Sequence, residues 1–456
     1  MDVIIVGCGR VGYILADHLS KENHNITLVD TDETKLQPAL ANLDVQAVIG
    51  NGTTSSCLME AGIKNTGLLI AVTDMDEINM ISCIMAKKAN PKCQTIARIR
   101  KPEYLPERNY FKQAFGMSMI INPELAASNE INQLINVPAA LELDSFARGR
   151  LDLLRIVITE TSVLAGMRVI DVSKKFDRKV LICIVVHNGE IIIPNGMSML
   201  SAGDSISVII PKAMIPTFYN TVCDSASLRV IKNVMICGGG VTAHYLAETL
   251  CDNGVNVKII EDDRERCEQL SAELPKCDII NADATNHDVL LENGLEDMDA
   301  FVALTTVDSE NCFLSIYASK AAPRCKLITR VHRLEQDEII TTLPIGSIIT
   351  PRRITAEAIL QFVRAMQNSK GSNVEALYEL MDNKVEALEF SIRENSKVLN
   401  TPLQTLKLKP NLLVCAIVRG RRIITPSGKD TLQLGDTVIV VTTNLGLKDI
   451  KDILAD

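Results

Sequence analysis

Asp2-Val3-Ile4-Ile5-Val6-Gly7-Cys8-Gly9-Arg10-Val11-Gly12 opens the chain after Met1, and Tyr13-Ile14-Leu15-Ala16-Asp17-His18-Leu19 follows. The apolar run reads as a buried strand, and Val11, Ile14, Leu15 and Leu19 recur at the spacing of one helix face. A second apolar run, Ile26-Thr27-Leu28-Val29, ends in Asp30. Each glycine has a physical task in a strand–turn–helix of this kind. Gly7 permits the tight turn, Gly9 lets backbone N–H groups approach a pyrophosphate, and Gly12 brings helix and strand together. The positive end of the helix dipole then faces the phosphates. Asp30 stands where a carboxylate accepts hydrogen bonds from the ribose hydroxyls of NAD, at the separation from Gly12 that such a unit requires. Strand, glycines, helix, second strand and acid occur in order, and that context makes the motif a dinucleotide fingerprint.

The chain has 456 residues, enough for three or four domains, and 47% of them are hydrophobic, so large cores are available. A net charge of −9 argues against nucleic acid or an anionic lipid surface as the main partner. No apolar run approaches the roughly 18 residues of a membrane span. Met1 leads directly into a strand, so no secretory signal is expected. The 13 cysteines include no C-x-x-C pair, and Cys183, Cys237 and Cys415 sit inside apolar strands. They read as reduced, buried thiols of a cytosolic protein. The histidines are dispersed, so no metal site is expected; His18 and His187 read as surface or hairpin residues.

The opening stretch returns. Val234-Met235-Ile236-Cys237 leads into Gly238-Gly239-Gly240-Val241-Thr242-Ala243, and Val257-Lys258-Ile259-Ile260 ends in Glu261. The offset from Gly7 to Gly238 equals the offset from Asp30 to Glu261. Thr305, Asn311, Arg330 and Gly435 follow Thr73, Asn79, Arg98 and Gly203 at a shared offset that is longer by a single position. One unit of about 230 residues is therefore present twice, and the function must suit a duplicated unit.

The first part of each unit alternates strands and helices. A short helix is expected around residues 34–42, limited by Pro38. Strand 45–49, the turn Gly50-Asn51-Gly52-Thr53, a helix over 55–61, strand 68–72, a helix over 77–88 and strand 95–99 follow. Such alternation gives a parallel sheet covered on both faces, with a ligand beyond the carboxyl ends of the strands. Gly7, Asp30, Asn51, Thr73 and Arg98 all fall at such ends; for Asn51, Thr73 and Arg98 a turn or cap role is the alternative. Residues 123–137 form a further helix with Leu125, Ile131, Leu134 and Ile135 on one face. Its counterpart after Pro351 carries Ala358, Ile359, Phe362, Val363 and Met366. Either helix could line the chain's own core or pair with another subunit or repeat.

The second part changes character. Short β-type runs at 153–158, 180–186, 190–193 and 205–210, with an Asn188-Gly189 hairpin turn, describe a small α+β domain. It recurs at 388–392, 412–418, 422–425 and 437–441 and holds no evident catalytic group.

On these residues the chain resembles the TrkA family, the cytoplasmic regulatory subunits of the Trk-type bacterial potassium uptake system, built from tandem RCK (KTN) domains. The matching positions are Gly7, Cys8, Gly9, Arg10, Val11, Gly12, Asp30, Gly50-Asn51-Gly52-Thr53, Thr73-Asp74 and Arg98. In the second copy they are Gly238, Gly239, Gly240, Val241, Thr242, Ala243, Glu261, Ala282-Asp283-Ala284-Thr285, Thr305 and Arg330. Two positions depart from the family pattern: Asn51 replaces the usual acid, and Val241 stands where the first copy has Arg10. The resemblance implies an α/β chain of two tandem Rossmann-like, doubly wound parallel-sheet domains, each followed by a small α+β C-terminal domain. The expected boundaries are 1–140, 141–225, 226–370 and 371–456. It implies that NAD(H), or an adenine nucleotide such as ATP or ADP, binds both sites and biases a gating ring. It implies an integral-membrane potassium-translocating partner of the TrkH/TrkG kind. Rings of eight such domains with two per chain imply a tetramer on the inner face of the plasma membrane. No nucleic-acid partner, metal or catalytic residue is expected. The rival readings are an NAD-dependent oxidoreductase, for which no Tyr-x-x-x-Lys or His–Asp set is present, and a nucleotide-sensing regulator of another transporter.

Overall fold

Val3, Ile4, Ile5 and Val6 are all buried, the mark of a strand covered on both faces. They form β1 (Asp2–Val6), the centre of a six-stranded sheet. The computed structural model describes residues 1–138, 140–147, 149–222, 230–331, 340, 343–368, 374–381, 384–394 and 396–455. By contacts the chain divides into two compact units. One comprises Met1–Asn129 with Gly240–Leu246 and Thr350–Leu360, and the other Glu130–Gly239, Ala247–Ile349 and Gln361–Asp456. The boundaries expected at 225/226 and 370/371 fall outside the described residues.

In the first unit, β1 is followed by α1 (Arg10–Lys21), β2 (Asn25–Asp30), α2 (Glu33–Asn42), β3 (Gln46–Ile49) and α3 (Ser55–Glu60). Then come β4 (Leu68–Ala71), α4 (Asp76–Ala89), β5 (Gln94–Arg98), α5 (Arg108–Phe115), β6 (Met119–Ile121) and the start of α6 (Pro123–Asn136). The strand order is β3-β2-β1-β4-β5-β6 and every pairing is parallel. Helix α1 exists because Val11, Leu15, Ala16 and Leu19 bury one stripe. Each fully buried Leu or Ile contributes about 1.5–3 kcal/mol, so this stripe outweighs the weak helix preference of the opening glycines.

Helix α2 ends at Asn42 with Pro38 inside it, as expected, and the burial of Leu36 and Ala39 on the sheet offsets the N–H that Pro38 lacks. Helix α5 and the short strand β6 are not expected from the sequence. Strand β6 is too short for a period to register, and it pairs at the sheet edge with Ile96, Ala97 and Arg98.

The second unit holds the repeated sheet: β12 (Asn233–Cys237), β13 (Asn256–Glu261), β14 (Asp278–Asn281), β15 (Ala300–Ala303), β16 (Lys326–Arg330) and β17 (Ser347–Ile349). Its order, β14-β13-β12-β15-β16-β17, is that of the first sheet, again wholly parallel. The same unit holds both small domains. One is built on β7 (Glu142–Phe146), β8 (Leu151–Val157), β9 (Leu181–His187), β10 (Glu190–Ile192) and β11 (Ser205–Pro211). The other uses β18 (Val374–Leu380), β19 (Val385–Ser391), β20 (Leu412–Arg419), β21 (Arg422–Ile424) and β22 (Thr437–Thr442). Their antiparallel orders, β7-β8-β11-β9-β10 and β18-β19-β22-β20-β21, correspond strand for strand. The leading strands β7 and β18 are not expected from the sequence. The two sheets share one core through Leu153, Cys183, Ala387 and Cys415. Phe146 meets Tyr378 edge-on at 4.5 Å.

Ile131, Leu134 and Ile135 on α6, and Ile359 and Val363 on the helix Pro351–Asn368, are buried by the chain itself, whereas Leu125, Ala358, Phe362 and Met366 on the same expected faces are half-buried. Cys183, Cys237 and Cys415 are buried free thiols. His187 lies on the hairpin strand β9, with Nδ1 2.6 Å from Oδ1 of the buried Asp204. This corrects the expectation of no His–Asp set, because folding of the hairpin brings together two residues apart in the chain. The pair belongs to the small domain rather than to a parallel sheet. No helix of the described residues is long and apolar enough to cross a membrane.

Candidate functional site

Gly7 has φ +98°, where side chains rarely go, and a Cβ there would meet the Thr73 backbone nitrogen at 2.9 Å. Gly238 repeats this at φ +100°, 2.9 Å from Thr305 N. The glycine turn therefore packs on the end of the neighbouring strand in both copies. Gly9 and Gly240 are different: a Cβ on either would find nothing within 4 Å. Their smallness serves open space above the loop rather than the protein's own packing.

Asp30 is fixed by the loop it faces. Cys8 N–H donates to its Oδ2 at 2.7 Å, and Asp32 N–H donates to its Oδ1 at 3.0 Å. In the second copy Gly239 N–H donates to Glu261 Oε2, and Asp263 N–H to Glu261 Oε1 at 3.0 Å. Each oxygen holds one backbone N–H and keeps a further lone pair for a ligand hydroxyl. The Cys8 side chain turns inward, with Sγ 3.2 Å from the Lys35 carbonyl. Burial, and then the Asp30 carboxylate, pushes its thiol up to about 11, so Cys8 is no thiolate at neutral pH.

Asn51 and Asp283 do the same local work. Asn51 Oδ1 accepts from Thr53 N–H at 3.0 Å and from its hydroxyl at 2.8 Å. Asp283 Oδ1 accepts from Thr285 N–H at 2.8 Å and its hydroxyl at 2.7 Å. The hydrogen bonds from Thr285 hold the Asp283 carboxyl below the ordinary range. Asn51 thus preserves the turn while removing a charge. Gly52 and Ala284 are explained by what lies beneath. A Cβ on Gly52 would meet Val6 Cγ1 at 2.4 Å, whereas the second copy has the smaller Cys237 in place of Val6 and admits Ala284 in its core.

Thr73 and Arg98 come together at the ends of β4 and β5. The Thr73 hydroxyl donates inward, to Asn79 Oδ1 at 2.7 Å, and its backbone N–H and C=O also bond the Asn79 amide, so Thr73 holds the strand end rather than presenting its hydroxyl to the crevice. Arg98 is largely buried, with Nη1 3.8 Å from Asp74 and Nη2 4.0 Å from Glu124. Burial lowers the Arg98 guanidinium and raises the Glu124 carboxyl, so each is pushed toward neutrality and offset by the other. The guanidinium keeps its charge. In the second copy Arg330 Nη2 donates to the Thr305 carbonyl at 2.5 Å, and Arg266 Nε to the Gly239 carbonyl at 2.8 Å.

Arg10 opens α1, is exposed, and makes no hydrogen bond or ion pair among the described residues. Val11 and Gly12 face inward. Gly240, Val241 and Thr242 run into the helix Val241–Asp252, and Thr242 is buried. Glu124, Asn79 and Asn311 lie beside the candidate site residues, and the sequence does not single them out. Only the repeat match of the asparagines signals them.

The TrkA-N domain matches residues 3–123 and 234–351, and the TrkA-C domain matches 153–222 and 387–455. A Trk system potassium uptake protein TrkA homolog of Methanosarcina mazei is 28% identical over 99% of this chain and 99% of its own. The Trk system potassium uptake protein TrkA of Halomonas elongata is 30% identical over 96% of this chain and 95% of its own. Among solved structures, the GsuK channel bound to NAD aligns with 97% of this chain and 77% of its own, with a TM-score of 0.62 at 15% identity. The GsuK RCK domain aligns with 97% and 92%, with a TM-score of 0.61.

Proposed function

Because the chain belongs to the family of paired TrkA-N and TrkA-C domains, we propose that it is the nucleotide-sensing regulatory subunit of a potassium uptake system. The observation that carries this reading is the twofold acid–loop contact, Asp30 to Cys8 and Glu261 to Gly239. Two carboxylates are prepositioned for ribose hydroxyls, beside glycines with open space above them. Gly7–Gly12 and Gly238–Thr242 would hold the phosphates of NAD(H), or of ATP or ADP. Asn51 and Gly52, or Asp283 and Ala284, would line the adenosine side. Thr73, Asp74 and Arg98, or Thr305 and Arg330, would close the far side. The nucleotide acts by binding; the chain's residues supply position and charge.

A regulator fits these groups better than a dehydrogenase does. The Thr73 hydroxyl and the Asn79 amide are spent on holding the backbone, and the Cys8 thiol is far from ionising. Hydride transfer needs a free acid or base at the substrate. The relatives' Trk-system names support a partnership with a potassium transport system. In the proposed setting a separate membrane subunit of the TrkH/TrkG kind would conduct potassium, and four copies of this chain would form a ring on its cytoplasmic side. Ligand drives such a ring only through different affinity for its two states.

The test is potassium flux in vesicles carrying the membrane subunit, with and without this protein, as NADH, NAD, ATP and ADP are added. Flux that requires the protein and changes with at least one nucleotide is expected. Flux indifferent to all four, or steady NADH oxidation with a metabolite pool, overturns the reading.

A further inference from the structure

Asn79 is completely buried on α4 and every polar position of its amide is used. Oδ1 accepts from the Thr73 N–H at 2.8 Å and from its hydroxyl at 2.7 Å. Nδ2 donates to the carbonyls of Thr73 at 3.0 Å and Arg98 at 2.9 Å. Asn311, on the helix Asp308–Ala321, repeats the pattern: Thr305 N–H at 2.8 Å, Thr305 carbonyl at 3.0 Å and Arg330 carbonyl at 3.0 Å. Asparagine is a mediocre helix former, and a buried amide is costly unless all its bonds are made. Its value therefore lies in the groups it holds.

Those groups sit where two strands part. The β4–β5 ladder ends at Ala71 and Ala97. Beyond it, Val72 N–H turns to the Val6 carbonyl at 2.8 Å, and Ile99 N–H to the Ile121 carbonyl at 2.9 Å. Asn79 bridges the split. Thr73, which it grips by both N–H and C=O, is the surface against which Gly7 packs, and Arg98 is the arginine of the far wall. The same chain of contacts joins Gly238, Thr305, Asn311 and Arg330.

We infer that Asn79 and Asn311 are positioning residues of the two nucleotide sites, each setting the spacing between the glycine loop and the arginine at the end of the next strand. The inference rests on the nucleotide reading above. Neither asparagine touches ligand; each acts through Thr73 and Arg98, or Thr305 and Arg330.

The test is a double-mutant cycle on ADP affinity, measured by calorimetry in the full chain with the second site blocked by Gly240→Val. Arg98→Gln should weaken binding about tenfold, and so should Asn79→Ser, the size of one lost hydrogen bond. Asn79→Asp keeps the acceptor but sets an oxygen against two carbonyls, and it should behave likewise. Combined with Arg98→Gln, either Asn79 variant should add almost nothing, because the asparagine acts through the arginine. A merely structural asparagine gives losses that multiply, to about a hundredfold, and overturns the inference. Asn79 variants that bind like the parent also overturn it. If Arg98→Gln alone leaves ADP affinity unchanged, the nucleotide reading of this crevice fails and the inference with it. Should both Asn79 variants fail to fold, the same cycle on Asn311 and Arg330 in a Gly9→Val chain decides.

Discussion

Cys8 donates its backbone N–H to Asp30 Oδ2 at 2.7 Å, so the glycine loop and the acid at the end of β2 form one hydrogen-bonded piece. A carboxylate oriented in this way meets a ribose 2′-hydroxyl with an acceptor and a 2′-phosphate with a like charge. NAD(H) should therefore bind at least about tenfold tighter than NADP(H), a difference of roughly 1.4 kcal/mol. Calorimetry with both cofactors checks this, and equal affinities would refute it. Asp30→Asn should narrow the preference, although the amide also loses one of the two loop contacts.

The two first glycines of the opening motif should respond in opposite ways. Gly9→Val projects into open space, so the unliganded protein should unfold within about 2 °C of the parent, while NADH binding at that site falls at least about a hundredfold. Gly7→Ala forces a side chain to φ +98° against Thr73 N, and should cost about 1–3 kcal/mol of stability. Thermal unfolding and a binding titration on each variant separate the effects. A Gly9→Val protein with normal ligand-dependent potassium flux would show that the first site is not the sensor.

Lys326 supplies a pH dependence. Its ammonium donates to the Ala140 carbonyl and to Ser347 Oγ, and burial alone lowers it to about 7, although part of the side chain reaches solvent. In the unfolded chain the group keeps its ordinary value near 10.4. Between those values the unfolded state holds the proton more often, so stability contributed at this site rises with pH from about 7 toward 10. Below pH 7 both states are charged and the full burial cost is present. Lys326→Met should raise the unfolding midpoint at pH 6.5, and the gain should shrink by pH 9. A gain that does not change with pH would mean the ammonium is solvated.

Much of this is legible in the chain because the deciding signals are local. Gly7, Gly9, Gly12 and Asp30 lie within one βαβ segment, and the repeat offset carries the same reading to Gly238 and Glu261. What stays hidden depends on contacts that only folding makes. Strand β6 exists because Ile96, Ala97 and Arg98 offer it an edge, and so short a strand cannot display a period. Thr73 stands at a strand end like a ligand-binding hydroxyl, and only the fold shows that Asn79 Oδ1 accepts its hydrogen bond. Glu124 belongs to α6, well beyond Arg98 in the chain, and only folding pairs them.

The two sites should differ in the nucleotide they prefer. Arg10 opens α1 beside the phosphate position of the first site, exposed and with no partner among the described residues. The second motif has Val241 there, which offers only a backbone N–H. A hydrogen bond to a charged group contributes about 1.5–3 kcal/mol, less when water competes. Asn51 and Asp283 make the same turn, so they differ mainly in charge, and Asp283 alone repels an added phosphate. Asp74 and Glu124 around Arg98 work against this trend in the first site, which keeps the expected margin near the lower end. The first site should hold ATP about tenfold more tightly than the second, and the second should favour NAD(H), whose pyrophosphate carries less charge. Full-length Gly240→Val and Gly9→Val chains isolate the two sites for calorimetry. Arg10→Ala in the Gly240→Val chain should remove most of the ATP advantage and leave NADH affinity within about threefold. Glu124→Gln in the same chain should tighten ATP by lifting a negative charge from beside Arg98. Identical ATP-to-NADH ratios in the two isolated sites would end the asymmetry and give Arg10 another role.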